Sequence, residues 1–301
     1  MNQSSSRQRL SGVFTALVTP MQNGALDMIA FERHVMAQLE AGVHGLVPVG
    51  TTGEAATLTN EETTQIIRRT VELAEGRAFV MAGAGSNATH VTIDKVRHAA
   101  DLGVNGLLIV TPYYNKPSQA GLFDHFAAVA VEATLPIMLY SVPGRTGVEL
   151  AVETVAKLAR TYPNIVGIKE ASGRPERVTE LRLACGADFI IHSGDDALML
   201  PFLALGADGV TSVASNLLPR ELVALFDAWR AGELDRARTL HENMYDLVRH
   251  LFIESNPVPV KAALAARGAM TSEVRAPLAP LQPSSQAALG DSLRRFRGLA
   301  L

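Results

Sequence analysis

"PIMLYSVPGRTGVELAVETVAKLARTYPNIVGIKEAS", residues 136–172, holds one structural repeat from strand to strand. It opens on an apolar run of strand length, 136–142, and turns through Pro143-Gly144. Val152, Val155, Leu158 and Ala159 then recur at helical spacing, and a second apolar run follows at 165–172. Both runs are continuous rather than alternating, the pattern of parallel strands with both faces covered.

The same unit recurs on either side. Further apolar runs lie at 12–20, 45–50, 78–85, 106–112, 189–195 and 209–215, with helical periodicity between them, as in Phe31, Val35 and Leu39. Several helices stop on glycine just before the next strand: Ala41-Gly42, Leu102-Gly103, Cys185-Gly186 and Leu205-Gly206. Glycine accepts the left-handed conformation that ends a helix. Eight successive β–α units predict a (β/α)8 TIM barrel of the α/β class, because eight is the count that closes. The compact spacing of the units argues against an open doubly wound sheet. The chain then divides into a flexible N-terminal segment, 1–11, the barrel, 12–230, and a C-terminal helical extension, 231–301. The extension is read as two or three further helices, one of them over 234–253; no internal linker or low-complexity segment is found, 281–292 being the nearest thing.

Composition narrows the function. The 301 residues are 48% hydrophobic and 19% charged, with a net charge of −3, and no Lys/Arg-rich run stands out. Nucleic acid and acidic membranes are therefore not expected partners. One cysteine, Cys185, excludes an intrachain disulfide and suits a reducing compartment. The polar start has no apolar core of a secretory signal, and no apolar stretch reaches the ~18 residues of a membrane span. The expected location is the cytoplasm.

In such barrels the reactive groups stand where the strands end and the βα loops begin. Those ends are rich in polar residues here: Gly50-Thr51-Thr52-Gly53-Glu54, Tyr113-Tyr114-Asn115-Lys116-Pro117, Tyr140 through Arg145, Lys169, and Ser193-Gly194-Asp195-Asp196. Lys169 shares a strand face with Ile165 and Gly167, which points it into the barrel mouth with Gly167 leaving room beneath it. Burial disfavours an ammonium ion, and a neutral amine adds to a carbonyl to give a Schiff base. A strand-end lysine can equally snorkel to the surface. Tyr140, ending the preceding strand, supplies a phenol for the proton transfers of such a reaction, or is a core aromatic. Thr51 and Thr52 offer hydroxyl neighbours and a carboxylate grip, or cap a turn. Arg145 can hold a carboxylate in two prongs, or pair with a surface acid. The "GAGSNA" turn at 83–88 lacks the downstream acid of a dinucleotide site, and "HSGDD" at 192–196 has no second histidine at ligand spacing. Neither a cofactor nor a metal is expected, and two acids after the seventh strand disfavour a phosphorylated substrate.

Six motifs, GTTGEAATLT (50–59), TPYYNKPSQAGL (111–122), YSVPGRTG (140–147), IVGIKEASG (165–173), SGDDA (193–197) and NPVPVKAAL (256–264), together resemble the 4-hydroxy-tetrahydrodipicolinate synthase (dihydrodipicolinate synthase) family. These are pyruvate-dependent Schiff-base barrel enzymes of lysine and diaminopimelate biosynthesis. The resemblance implies that Lys169 condenses with pyruvate, that Tyr140, Thr51 and Tyr114 relay protons, and that Tyr114 enters from a neighbouring subunit. It further implies that Thr52 holds the pyruvate carboxylate and Arg145 that of L-aspartate 4-semialdehyde, with Gly194 and Thr211 giving backbone contacts. Members are homo-oligomers, typically tetramers, and need no cofactor. Two residues depart from the pattern. Ser141 stands where asparagine is usual and where 4-hydroxy-2-oxoglutarate aldolases also carry serine, and Thr211 where isoleucine is common. Sister aldolases, including N-acetylneuraminate lyase and the 2-keto-3-deoxy sugar acid aldolases, generally lack an arginine at position 145, so Arg145 favours the synthase. A complete relay set speaks against a non-catalytic keto-acid sensor.

Overall fold

A computed structural model describes residues 9–296 of the chain. Its eight parallel strands are β1 (Gly12–Ala16), β4 (Gly45–Val47), β5 (Phe79–Gly83), β6 (Gly106–Val110), β7 (Ile137–Ser141), β8 (Ile165–Glu170), β9 (Ile190–Ser193) and β10 (Gly209–Ser212). They close into a barrel in the order β1-β10-β9-β8-β7-β6-β5-β4, with a separate two-stranded hairpin of β2 (Met21–Gln22) and β3 (Ala25–Leu26). The expected TIM barrel with additional C-terminal helices is present. The four helix-stopping glycines, Gly42, Gly103, Gly186 and Gly206, all have φ between +80 and +95°.

By contact density the chain forms two compact units, Met1–Gly12 with Phe79–Thr211 and Val13–Ala78 with Ser212–Leu301. The first contains the register Tyr140↔Lys169↔His192↔Gly209 across β7, β8, β9 and β10. Residues level with one another on parallel strands face the same side, and their neighbours in sequence face the other. Tyr140 and Lys169 therefore share one face, while Ser141 and Glu170 share the opposite one. Gly167 lies level with Ile190, and a Cβ at that glycine would stand 2.5 Å from the Ile190 carbonyl oxygen. It serves the close approach of β8 and β9.

The second unit pairs β1 with β4 and carries the helices Pro219–Arg230, Leu234–His250, Val258–Ala266 and Pro283–Arg295. The last of these covers most of 281–292, the stretch nearest in composition to a linker, with Pro283 opening the helix where its missing N–H costs nothing. Helix Asn60–Ala74 starts at a capping box. Thr59 accepts from the Glu62 backbone N–H, and the Glu62 carboxylate accepts from that of Thr59. The first apolar run is also shorter as a strand than it reads, since β1 ends at Ala16 and 17–20 lead into the hairpin. Of the segment read as flexible, residues 1–8 lie outside the described residues. Arg9 and Leu10 are helical, and Leu10 is buried.

Candidate active site

Lys169 is 5% exposed, and its Nζ stands 4.3 Å from the centroid of the Tyr140 ring. Among the described residues it has no carboxylate partner and no hydrogen-bond acceptor. Its side chain passes Gly194, where a Cβ would come within 3.1 Å of Lys169 Cε and 2.6 Å of Ala171 Cβ. Glycine at 194 is thus required first by Ala171, and it leaves the lysine stem close beside the backbone. Tyr140 is 7% exposed, and its hydroxyl makes no hydrogen bond among the described residues. A buried amine without an acid, beside a phenol with its hydroxyl uncommitted, is a pair equipped for carbonyl chemistry.

The opposite face of β7 and β8 explains how this pair is held. Glu170, fully buried, accepts from Arg177 Nε at 2.8 Å and from the Ser172 backbone N–H at 2.8 Å. Arg177 also donates to the Leu150 carbonyl at 2.8 Å, and the Leu150 N–H donates to Ser141 Oγ at 3.2 Å. Ser141, the departure from the usual asparagine, is therefore spent on the backbone at 150 and turned away from Tyr140. Thr111 adds a third brace. Its N–H donates to the Tyr140 carbonyl at 2.9 Å and its hydroxyl to Thr146 Oγ1 at 3.2 Å. Thr146 ends the short helix Pro143–Thr146, absent from the sequence reading, on which Arg145 sits exposed.

Thr211 is fully buried, with Oγ1 3.0 Å from His192 Nδ1, while His192 Nε2 lies 2.7 Å from the Leu10 carbonyl. A carbonyl only accepts, so Nε2 carries a proton and donates to Leu10, while Nδ1 meets the Thr211 hydroxyl. Threonine in place of the common isoleucine thus serves a buried histidine. Asp195 caps the turn after β9, accepting from the Ala197 N–H at 3.0 Å, and burial pushes its carboxyl above the usual range.

Tyr114 is 90% exposed at φ +73° and Tyr113 is 40% exposed, while Lys116 follows at φ +45°. Asn115 pins the loop through Nδ2, which donates to the Asn87 carbonyl at 2.8 Å. The resemblance implies that Tyr114 joins the relay of a neighbouring subunit, and within its own chain it stands in solvent.

In the second unit, Thr51 is exposed on a turn whose Glu54 N–H donates to the Thr51 carbonyl at 3.1 Å. Thr52 is 2% exposed and accepts from Asn256 Nδ2 at 3.0 Å. Glu54 is paired with Lys261, 2.6 Å away and fully buried, and Lys261 also donates to the Thr19 carbonyl at 2.9 Å. Burial pulls the Lys261 ammonium below its ordinary range, with the Glu54 charge opposing. Asn256 and Lys261 belong to a motif that carries the family resemblance, but nothing in local spacing shows what they hold. The signal was a lysine inside the apolar run VPVKAALAA, an anomaly of the same kind as Lys169.

Comparison with known proteins follows the same lines. The model of the dihydrodipicolinate synthetase family matches residues 9–295. A 4-hydroxy-tetrahydrodipicolinate synthase of Oleidesulfovibrio alaskensis is 47% identical over 278 residues, covering 92% of this chain and 95% of that protein. The structure of 4-hydroxy-tetrahydrodipicolinate synthase from the thermoacidophilic methanotroph Methylacidiphilum fumariolicum superposes with a TM-score of 0.94 at 50% identity, over 95% of this chain and 96% of the other. A second structure, described as the first monomeric dihydrodipicolinate synthase variant, gives 0.94 at 40% identity, over 97% and 99%.

Proposed function

The chain belongs to the dihydrodipicolinate synthetase family, and from that membership we infer a lyase that condenses pyruvate with L-aspartate 4-semialdehyde to 4-hydroxy-tetrahydrodipicolinate, in lysine and diaminopimelate biosynthesis. The observation that carries the chemistry is the state of Lys169. Among the described residues two lysines are buried, and Lys261 is paired with Glu54 while Lys169 has the Tyr140 ring beside it and no carboxylate partner. An amine held in a buried mouth and committed to no ion pair is placed to add to a carbonyl.

In the mechanism we assign, the Lys169 amine adds to the keto carbon of pyruvate. The carbinolamine oxygen takes a proton by way of Tyr140 and leaves as water, and loss of a methyl proton from the imine gives an enamine. The enamine carbon attacks the aldehyde of the second substrate, whose amine then displaces Lys169 by transimination and closes the ring. Tyr140, Thr51 and Tyr114 pass the protons, with Tyr114 supplied by a neighbouring subunit. Thr52 holds the pyruvate carboxylate and Arg145 that of the semialdehyde. Gly194 and Thr211 contribute backbone. Neither metal nor cofactor has a step in this scheme. Family resemblance makes the assembly a homo-oligomer, a tetramer by preference, although one structural relative is described as monomeric. No helix among the described residues is long and apolar enough to cross a membrane, and the lone Cys185 suits the cytoplasm.

Borohydride reduction in the presence of pyruvate, read by peptide mass spectrometry, tests the assignment. The adduct is expected on Lys169, and Lys169→Ala is expected to lose most activity. An adduct on Lys116 or Lys261 instead would end the mechanism.

A further inference from the structure

Thr52 brings one unspent proton to the loop. A hydroxyl has one proton to give and two lone pairs to receive. Asn256 Nδ2 donates to Thr52 Oγ1 at 3.0 Å, and among the described residues the Thr52 hydroxyl donates to nothing. Its residue is 2% exposed, so bulk water is a poor substitute for an acceptor. The amide N–H on one lone pair leaves the proton to an acceptor brought from outside.

The loop that carries Thr52 is fixed at both ends. Val49 has φ +49° and Glu54 φ +58°, conformations that non-glycine residues, β-branched ones above all, occupy only when their surroundings enforce them. The Glu54 carboxylate is taken by Lys261 at 2.6 Å and by the Arg275 N–H at 2.9 Å, while Thr19 Oγ1 donates to the Gly53 carbonyl at 2.8 Å. A Cβ on Gly53 would lie 3.1 Å from the Leu17 carbonyl oxygen. The backbone is thus held, and the orientation of the hydroxyl rests on its side-chain partner.

We propose that Asn256 is a positioning residue that fixes Thr52 as a hydrogen-bond donor and so makes the 50–54 loop selective for a carboxylate on the keto substrate. The proposal rests on the reading of Thr52 as the group that holds the pyruvate carboxylate. A neutral amide suits the task. An aspartate at 256 would accept the Thr52 proton and set a second anion near the incoming one. An alanine would let the hydroxyl swivel.

Pyruvamide, the neutral counterpart of pyruvate, separates this role from a structural one. Borohydride trapping on Lys169 is titrated with each compound in the unmodified protein, Asn256→Asp and Asn256→Ala. In Asn256→Asp the pyruvate concentration for half-trapping should rise roughly 10- to 100-fold, the loss expected of a hydrogen bond to a charged group. Asn256→Ala should show a smaller rise in the same direction, and pyruvamide should be trapped as before by both. In steady state KM for pyruvate should move more than kcat. Thr52→Val should reproduce the loss and leave little for Asn256→Asp to add. Equal weakening for pyruvate and pyruvamide would reduce Asn256 to a support of the fold. Undiminished pyruvate trapping in Asn256→Asp would mean that the amide faces Thr52 with its oxygen, and would overturn the proposal. Absence of any adduct on Lys169 in the unmodified protein would instead overturn the underlying reading of the site.

Discussion

Lys169 and Lys261 are the same side chain in two electrostatic settings. Lys261 has a carboxylate at 2.6 Å and a carbonyl at 2.9 Å, whereas Lys169 has an aromatic face at 4.3 Å. The first is committed to an ion pair inside its loop, and the second is not, which in the proposed scheme leaves its amine for the keto acid. In the proposed scheme Arg145 belongs to a later step. Arg145→Ala should reduce kcat/KM for the semialdehyde by roughly 10- to 1000-fold, the range of a charge-assisted pair, and leave pyruvate trapping nearly unchanged. Equal losses in both would make Arg145 a pyruvate ligand or a support of its turn. Lys169 and Tyr140 were legible in sequence because each breaks an otherwise aliphatic strand. Asn256 was not, because its partner Thr52 lies 204 residues away and hydrogen-bonding side chains carry no mark of whom they meet.

Strands β7 and β8 show how an element aims a residue. Tyr140 and Lys169 face one side because Ser141 and Glu170 are tied down on the other, both through Leu150. The alternation was readable, but the tie was not, since it needs Arg177 from the following helix. The buried pair between Glu54 and Lys261 fixes its loop in a comparable way, and removing one member leaves the other charge unpaired. Lys261→Met should therefore lower stability by about 3–5 kcal/mol, and Glu54→Gln added to it should recover a good part. Urea unfolding measures both, and a double variant no better than the single one would contradict the account. Helix Gln119–Glu132 holds a titrating group, His125, whose Nδ1 lies 3.0 Å from Thr89 Oγ1 and whose Nε2 is buried without a partner among the described residues. Burial pulls its pKa down to about 4 from an ordinary 6.5. The unfolded chain protonates His125 at the higher value, the folded chain only at the lower. Its contribution is whole above pH 6.5 and is lost as pH falls toward 4, a few kcal/mol in all. The urea midpoint should fall more steeply across that window in the unmodified protein than in His125→Gln. Equal slopes would place the acid sensitivity elsewhere.

For the whole molecule, the count of eight repeats sufficed to read the fold, because parallel strands covered by helices leave few ways to close. Element ends were less legible. The hairpin after β1 and the helix Pro143–Thr146 follow from local hydrogen bonds that hydrophobic pattern does not encode. Tyr114 sets a prediction at this scale. At 90% exposure and φ +73°, it is an aromatic held out into solvent by its loop. If it completes the relay of a second copy, activity depends on association. A folded, monodisperse monomer, obtained by dilution or by charge substitution at the Tyr113 surface, should retain only a few per cent of the activity of the oligomer. Full activity in that monomer, followed by ultracentrifugation alongside the assay, would remove Tyr114 from the mechanism.

The unit that holds the 50–54 loop is discontinuous, built from Val13–Ala78 and Ser212–Leu301. During synthesis its first part leaves the ribosome early and waits while more than a hundred residues are made. Asn256 and Lys261 arrive 204 and 207 residues after the groups they secure. A chain broken off after the eighth strand already contains Lys169 and Thr52, yet lacks the Asn256 amide and the Lys261 ammonium that meet Thr52 and Glu54. Truncated products thus carry the loop without two of its partners, and in the proposed scheme only the finished polypeptide is ready for the keto acid.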